Sequence, residues 1–568
     1  MSQTQVRGQA QNGDPFQIAD QFVDDVVAHF PQMGTSIGAG GCDHLWNDYS
    51  PAGDAAAVDL ARGYRRRFAE HLDHPDQWQR HAARVCHAFQ LEVEKSYDLG
   101  LRYLSMRHTS GIMDSIRDVF DEMNTSTEEG WANIAARLET VDQPIAGAIA
   151  TYEEGRNNGI VSARLQVEST VEQARRLAGP QSKWLGLARS AEKVAKPEAA
   201  QRVARGVDHA RAAIASLADY LESDYLPSAT EADGVGAERY VVAADRFLGL
   251  EIDPIETYEW GWEEVNRLQQ AMTEAARGVD PDVPLNEVIE RLESDPTYAV
   301  ASQAEFVEFI QRIQDQALGQ LDGLHFDVAP EIRKVTVNLV PPGAALGAYY
   351  LAPTEDFSRP GGIWYSFGER QQLPLWSEVS TAYHEGFPGH HLQVGTVMTL
   401  RENLSRAHRL LIWYSGMGEG WALYTERLMD ELGYFDQPHY LLGMLASQQL
   451  RACRVVIDIG THLSLRIPES ALVAPGEIWS YDSAVATLHR VAGLPLDVSH
   501  SEVKRYLGWP GQAISYKVGE RHLLAIREAA QRTQGSSFNL KEFHRKLLGW
   551  GDVRLDYLRE ITATDSVL

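Results

Sequence analysis

Apolar residues recur every three or four positions along most of this chain, the spacing of one helical face. Ala55–His71 and Ser162–Leu177 carry the pattern, and 303–322 is again amphipathic. Helix starts are marked too. Asn124-Thr-Ser-Thr-Glu sets hydroxyl side chains ahead of Glu just before Trp131, and Asp253-Pro-Ile-Glu opens a helix running to about Arg277. Ser228–Gly236 is a break. The texture changes around 326–366. Lys334-Val-Thr-Val-Asn-Leu-Val alternates and is β-branched, which predicts a strand, and Pro341-Pro-Gly stops it. Gly347-Ala-Tyr-Tyr-Leu and Gly362-Ile-Trp-Tyr-Ser predict two more short strands joined by a Pro/Gly/Asp loop. Helical spacing resumes at Ser377 and runs to about Arg466, followed by helices at 482–492, 500–507, 512–533 and 540–548.

These elements predict a mainly α protein with a small β-sheet ahead of its most polar motif. Residues 15–325 form an N-terminal helical lobe and 326–568 a second lobe within one continuous domain. Residues 1–14, polar and Gln-rich, are expected to be disordered.

Composition narrows the partners. Lys and Arg total 52 against 79 Asp and Glu, a formal net charge of −27, which argues against nucleic acid and anionic membranes. The three cysteines, Cys42, Cys86 and Cys453, have neither disulfide-framework nor zinc-finger spacing and fit a reducing compartment. The first fourteen residues lack the apolar core of a signal peptide, and no run approaches the length needed to cross a bilayer, so a cytoplasmic location is expected.

The chemistry concentrates in His384-Glu-Gly-Phe-Pro-Gly-His-His. Two imidazoles can hold a metal ion, and Glu385 can act as a base. Zincins place the two His four residues apart on one helix, but position 388 is a proline. On an undistorted helix His390 would sit about 120° round and roughly 9 Å along from His384, too far to share an ion. Pro388-Gly389 permits a bulge or break that would bring the second imidazole back. The distortion favours His390 over the adjacent His391.

Gly418-Glu-Gly-Trp-Ala resembles the Asn-Glu-Gly-Phe-Ala element of gluzincin aminopeptidases, which implies that Glu419 is the third ligand. Three protein ligands leave one coordination position open, the mark of a catalytic rather than structural zinc. Glu426, seven residues on, reads either as a carboxylate orienting a ligand His or as a surface charge.

The likeness extends over about residues 20–562. Gly347-Ala-Tyr-Tyr, Ser358-Arg-Pro-Gly-Gly, the His384 and Glu419 motifs, Arg451-Ala-Cys-Arg-Val-Val-Ile-Asp-Ile-Gly-Thr-His and Pro510-Gly-Gln-Ala-Ile-Ser-Tyr-Lys follow in order. Together they resemble the bacterial family catalogued as domain of unknown function 885, a gluzincin-like group. Two positions depart from its pattern: Ile459, where Thr is expected, and Arg554, where Pro is usual. The resemblance implies a two-lobed, zincin-like helical fold and a zinc-dependent hydrolase with one ion per chain held by His384, His390 and Glu419, with Glu385 as general base. Tyr516 matches the gluzincin tyrosine that donates to the developing oxyanion. The expected substrate is a short peptide or small amide.

Arg521, alongside Lys517 and Arg359, is a candidate clamp for a substrate carboxylate. Arg454, Asp458 and His462 share one helical stripe, which either orients substrate or ties helices together. The Gly362-Ile-Trp-Tyr strand could offer its edge to an extended peptide. Two rival readings keep the metal: hydrolysis of a non-peptide C–N bond in a specialised metabolite, and a metal-stabilised helical scaffold without catalysis. Manganese or cobalt would also suit such ligands.

Overall fold

Short polar side chains and prolines fix where the helices begin. A computed structural model describes residues 13–340, 347–367, 370 and 372–564. The Pro341-Pro-Gly stop and residues 1–12 lie outside the described residues. Asp14, expected in a disordered tail, instead caps Pro15–His29 by accepting from Gln17 N. Thr127 caps Glu128–Glu139, and Asp253 caps Pro254–Val279 through Ile255 N and Glu256 N. Each such cap contributes about 1 kcal/mol by pairing helix-end N–H groups that have no partner within the helix.

The fold is mainly α, as the hydrophobic spacing predicts. Its strands are β1 (Ala299–Val300), β2 (Thr336–Leu339), β3 (Gly347–Leu351), β4 (Gly362–Ser366) and β5 (Leu373–Pro374). A three-stranded sheet has the order β2-β4-β3, with β4 parallel to β2 and antiparallel to β3. So β4 is paired on both sides and offers no edge to a peptide, contrary to expectation. The edge nearer the polar motif is β3, with Tyr349 and Leu351 exposed. β1 and β5 form a separate short pair.

The helical stretch expected from Ser377 to Arg466 is five helices: Glu378–Glu385, His390–Thr399, Arg406–Leu411, Ser415–Glu431 and Pro438–His462. Residue 325 does not divide the packing. One core joins Ile18, Phe22, Phe68 and Cys86 to Phe387, Trp421, Leu428 and Phe543. Another joins Tyr240 and Tyr258 to Val455, Val456 and Ile514. The helices between Met106 and Tyr225 enclose a core of their own. Hydrophobic spacing marks which face of a helix is buried but not which other helix covers it.

Candidate metal centre

The first motif helix ends at Glu385 and the second begins at His390, so Gly386 to Gly389 interrupt the helix where proline and glycine were expected to break it. The interruption is tightly held. Phe387 is fully buried against Phe326, worth roughly 1.5–3 kcal/mol. Its N–H donates to Gln314 Oε1 at 2.6 Å, and Gln314 Nε2 donates to Ala382 O at 2.8 Å. Trp421 Nε1 donates to Pro388 O at 3.0 Å, pinning the break to the helix Ser415–Glu431. Gly389 is obligatory: a Cβ there would stand 2.0 Å from His384 O and 2.4 Å from Tyr383 O.

The result brings His384, His390 and Glu419 together, with one ligand atom from each lying within 4.8 Å of the others. Glu419 Oε2 is 3.4 Å from both His384 Nε2 and His390 Nε2. His391 turns away. Its Nε2 donates to Ile332 O at 2.8 Å, and Tyr350 OH on β3 stands 3.1 Å from its Nδ1. Glu426 is fully buried. It accepts from His384 Nδ1 at 2.7 Å and from Ser380 Oγ at 2.6 Å, the arrangement that fixes a ligand imidazole's tautomer and direction.

These residues fit a divalent cation. Two imidazole nitrogens and a carboxylate oxygen converge, and His390 Nδ1 is buried with no hydrogen-bond partner among the described residues. Burial disfavours the charged form of His384, but contacts with Glu419 and Glu426 outweigh it and push the imidazole up to about 9. Burial likewise opposes ionisation of Glu419, yet the two histidines hold it well below the usual carboxylate range. A cation at this point would take over the role of those protons.

Glu385 makes no hydrogen bond or ion pair among the described residues, and burial raises its carboxyl. Tyr516 stacks on His384, ring centroids 6.2 Å apart and planes 20° apart. Its helix, Ser515–Gln534, crosses Ser415–Glu431 at near backbone contact, because a Cβ on Gly519 would meet Gly416 O at 2.0 Å. Two further side chains stand beside the cluster. Trp413, expected with Tyr414 to be core rather than ligand-contacting, is exposed and places its ring 6.0 Å from that of His390. Arg451 reaches over the Tyr516 ring at 5.7 Å, and its charge bears on Glu385 and Glu426. The spacing of Arg451 and Arg454 on one helix was the available signal.

Two expected substrate-binding residues are not brought to the cluster. His462 is buried, with Nε2 donating to Tyr506 O at 3.1 Å and Nδ1 accepting from Val235 N at 3.4 Å. Arg454 bonds Tyr506 OH and Glu502, so the stripe ties Pro438–His462 to Leu496–Gly508. Arg521 stacks on Trp260 at 4.5 Å, beside Glu256. Lys517 is buried between Gln448, Glu520 and Glu264 rather than free to grip a carboxylate.

Fold and site together define a mainly α protein with a His/His/Glu cluster assembled across a broken helix. The chain belongs to the family described as bacterial protein of unknown function (DUF885), whose profile matches residues 31–561. It is similar in structure to the "putative lipoprotein" of Colwellia psychrerythraea, with a TM-score of 0.86, 22% identity, and coverage of 97% of this chain and 99% of that one. It is also similar to a "putative lipoprotein of unknown function" of Shewanella oneidensis, with a TM-score of 0.74, 17% identity, and coverage of 97% and 100%. At these identities the likeness speaks to the fold. No curated protein matches the chain.

Proposed function

We propose that the protein is a metal-dependent hydrolase that cleaves an amide bond in short peptides or small amide substrates, with zinc as the expected ion. The observation that carries this reading is the convergence of His384, His390 and Glu419 beside an unpartnered Glu385. A divalent cation held by those three residues would supply Lewis acidity and a water acidified toward neutral pH. Glu426 orients His384 through its Nδ1 proton. Glu385 accepts the proton of the attacking water on its carboxylate and returns it to the leaving nitrogen. Tyr516, whose hydroxyl burial keeps protonated, donates to the oxyanion. Trp413 shields one side of the cluster from water.

Hydrolysis of a non-peptide C–N bond at an acyl or amidine carbon passes through the same tetrahedral geometry, so a specialised metabolite is the alternative substrate. The scaffold reading gains no support, since a structural ion needs no free carboxylate beside its ligands. The three cysteines, all free and buried, support a reducing compartment, whereas the names of the two structural neighbours favour an exported, lipid-anchored protein. Cell fractionation separates these.

The deciding experiment pairs metal analysis with hydrolysis of a peptide pool, using wild type beside Glu385→Gln. We expect one ion per chain in both proteins and a turnover loss of about 10²–10⁴-fold in the variant. Failure to bind zinc after reconstitution would overturn the reading.

A further inference from the structure

A second site stands apart from the metal cluster. A cavity of about 440 Å³ opens between the helices Pro51–Ala69, Gln77–Asp98 and Ala237–Leu248, and is closed by the segments 101–107 and 507–510. None of His384, Glu385, His390, Glu419 and Tyr516 lines it. Four arginines do: Arg102, which donates to Tyr97 O and Tyr103 OH, and Arg107, Arg239 and Arg246. Arg239 and Arg246 are seven residues apart on Ala237–Leu248, hence on one face, and the small Ala243 between them leaves the cavity open.

The last three have no visible counterpart. None makes a hydrogen bond or ion pair among the described residues, and Nε of both Arg107 and Arg239 is buried without a partner. Arg246 is exposed, Arg107 and Arg239 are half-buried, and the Arg246 charge bears on Arg107. Burial, reinforced by the Arg246 charge, pulls Arg107 down to about 10, so it still carries its proton at neutral pH. Two carboxylates share the lining, Asp54 and Asp233; burial raises both, and neither pairs with Arg107, Arg239 or Arg246 among the described residues. Glu92, whose charge bears on Arg246, is bonded by Arg554 and Tyr414. Asp54 in the lining stands 3.9 Å from Arg102. Ser96 Oγ, also in the lining, is a further buried group without a partner. In a chain with 27 more acidic than basic side chains, two guanidinium nitrogens buried without a partner beside one hollow, Arg107 Nε and Arg239 Nε, are a cost without a folding return.

The rest of the wall is apolar. Val93, Ile160, Phe247 and Trp509 contribute, the last two meeting edge to face at 5.4 Å. The volume matches sites for small organic molecules. We infer that this cavity is a binding site for a small organic anion with a flat apolar body, its carboxylate or phosphate head held by Arg107, Arg239 and Arg246 and its body set against Phe247 and Trp509. The inference does not depend on the metal centre.

Calorimetric titration of the full chain with phenylphosphate, 4-phenylbutyrate and the neutral 4-phenylbutanol tests it. One site per chain is expected, with at least one anion binding about tenfold or more tighter than the alcohol. The tighter anion identifies the head group. Arg107→Gln/Arg246→Gln should lose that preference, keep its affinity for the alcohol and retain wild-type metal content, while Glu385→Gln should bind the anions as wild type does. The unliganded Arg107→Gln protein should melt at or above the wild-type temperature, because a buried donor without a partner has been removed. Three results would overturn the inference: no preference for the anions, a preference untouched by the double substitution, or an Arg107→Gln protein that cannot fold.

Discussion

His390 and His391 are neighbours with opposite duties, and replacing them singly separates the two. His390→Ala removes a nitrogen from the cluster and should abolish stoichiometric metal binding. His391→Ala strands the Ile332 carbonyl and Tyr350 hydroxyl, so it should keep the metal and lose roughly 1–3 kcal/mol of stability, as metal analysis and urea unfolding will show. Asp458 offers a pH test. Burial pushes its carboxyl up to about 7, although Tyr240 OH and Gly511 N both donate to it. An acid raised in the folded state gives stability that is complete below the unfolded pKa near 4 and declines as pH climbs through 7. Asp458→Asn should therefore gain on wild type between about pH 4.5 and 8, by up to roughly 4 kcal/mol at about 1.4 kcal/mol per unit. Residue by residue, His384, Glu385 and Glu419 were legible because few folding needs explain an acid–imidazole pair next to a Pro-Gly break. His462 and Arg521 were not. A charged stripe on a helix looks the same whether it faces a substrate or a neighbouring helix, and the neighbours Tyr506, Val235 and Trp260 come from distant sequence.

At the scale of elements, the interruption between Glu385 and His390 is the device that brings the two imidazoles to Glu419. Gly389→Ala drives a methyl into the His384 and Tyr383 carbonyls, which are backbone and cannot yield as a flexible side chain would. We expect metal affinity to fall about 10–100-fold, measured by competition with a chelator, because His390 is displaced although every ligand is still present. The strand boundaries Gly347–Leu351 and Gly362–Ser366 could be read directly from β-branched and aromatic runs ended by Gly and Pro. Strand order could not. β4 takes β2 as a parallel partner, and that pairing depends on how the intervening chain crosses over.

At the scale of the whole molecule, packing ignores the boundary expected near 325. The isolated fragment 326–568 should express without cooperative thermal unfolding by circular dichroism, because Ile18, Phe22, Phe68 and Cys86 complete the core around Phe387 and Trp421. A fragment that melts sharply would mean the lobes are separable after all. The shared core also bears on how the chain is born. Ribosomes add about 5–20 residues per second, so roughly 15–60 s pass between the emergence of residue 86 and that of residue 379. Through that interval the greasy sides of Pro15–His29 and Gln77–Asp98 wait for partners not yet made, while the helices from Met106 to Tyr225 can already close on one another. The nascent protein is a finished middle with an unfinished beginning, and that beginning is the stretch a chaperone would have most reason to hold.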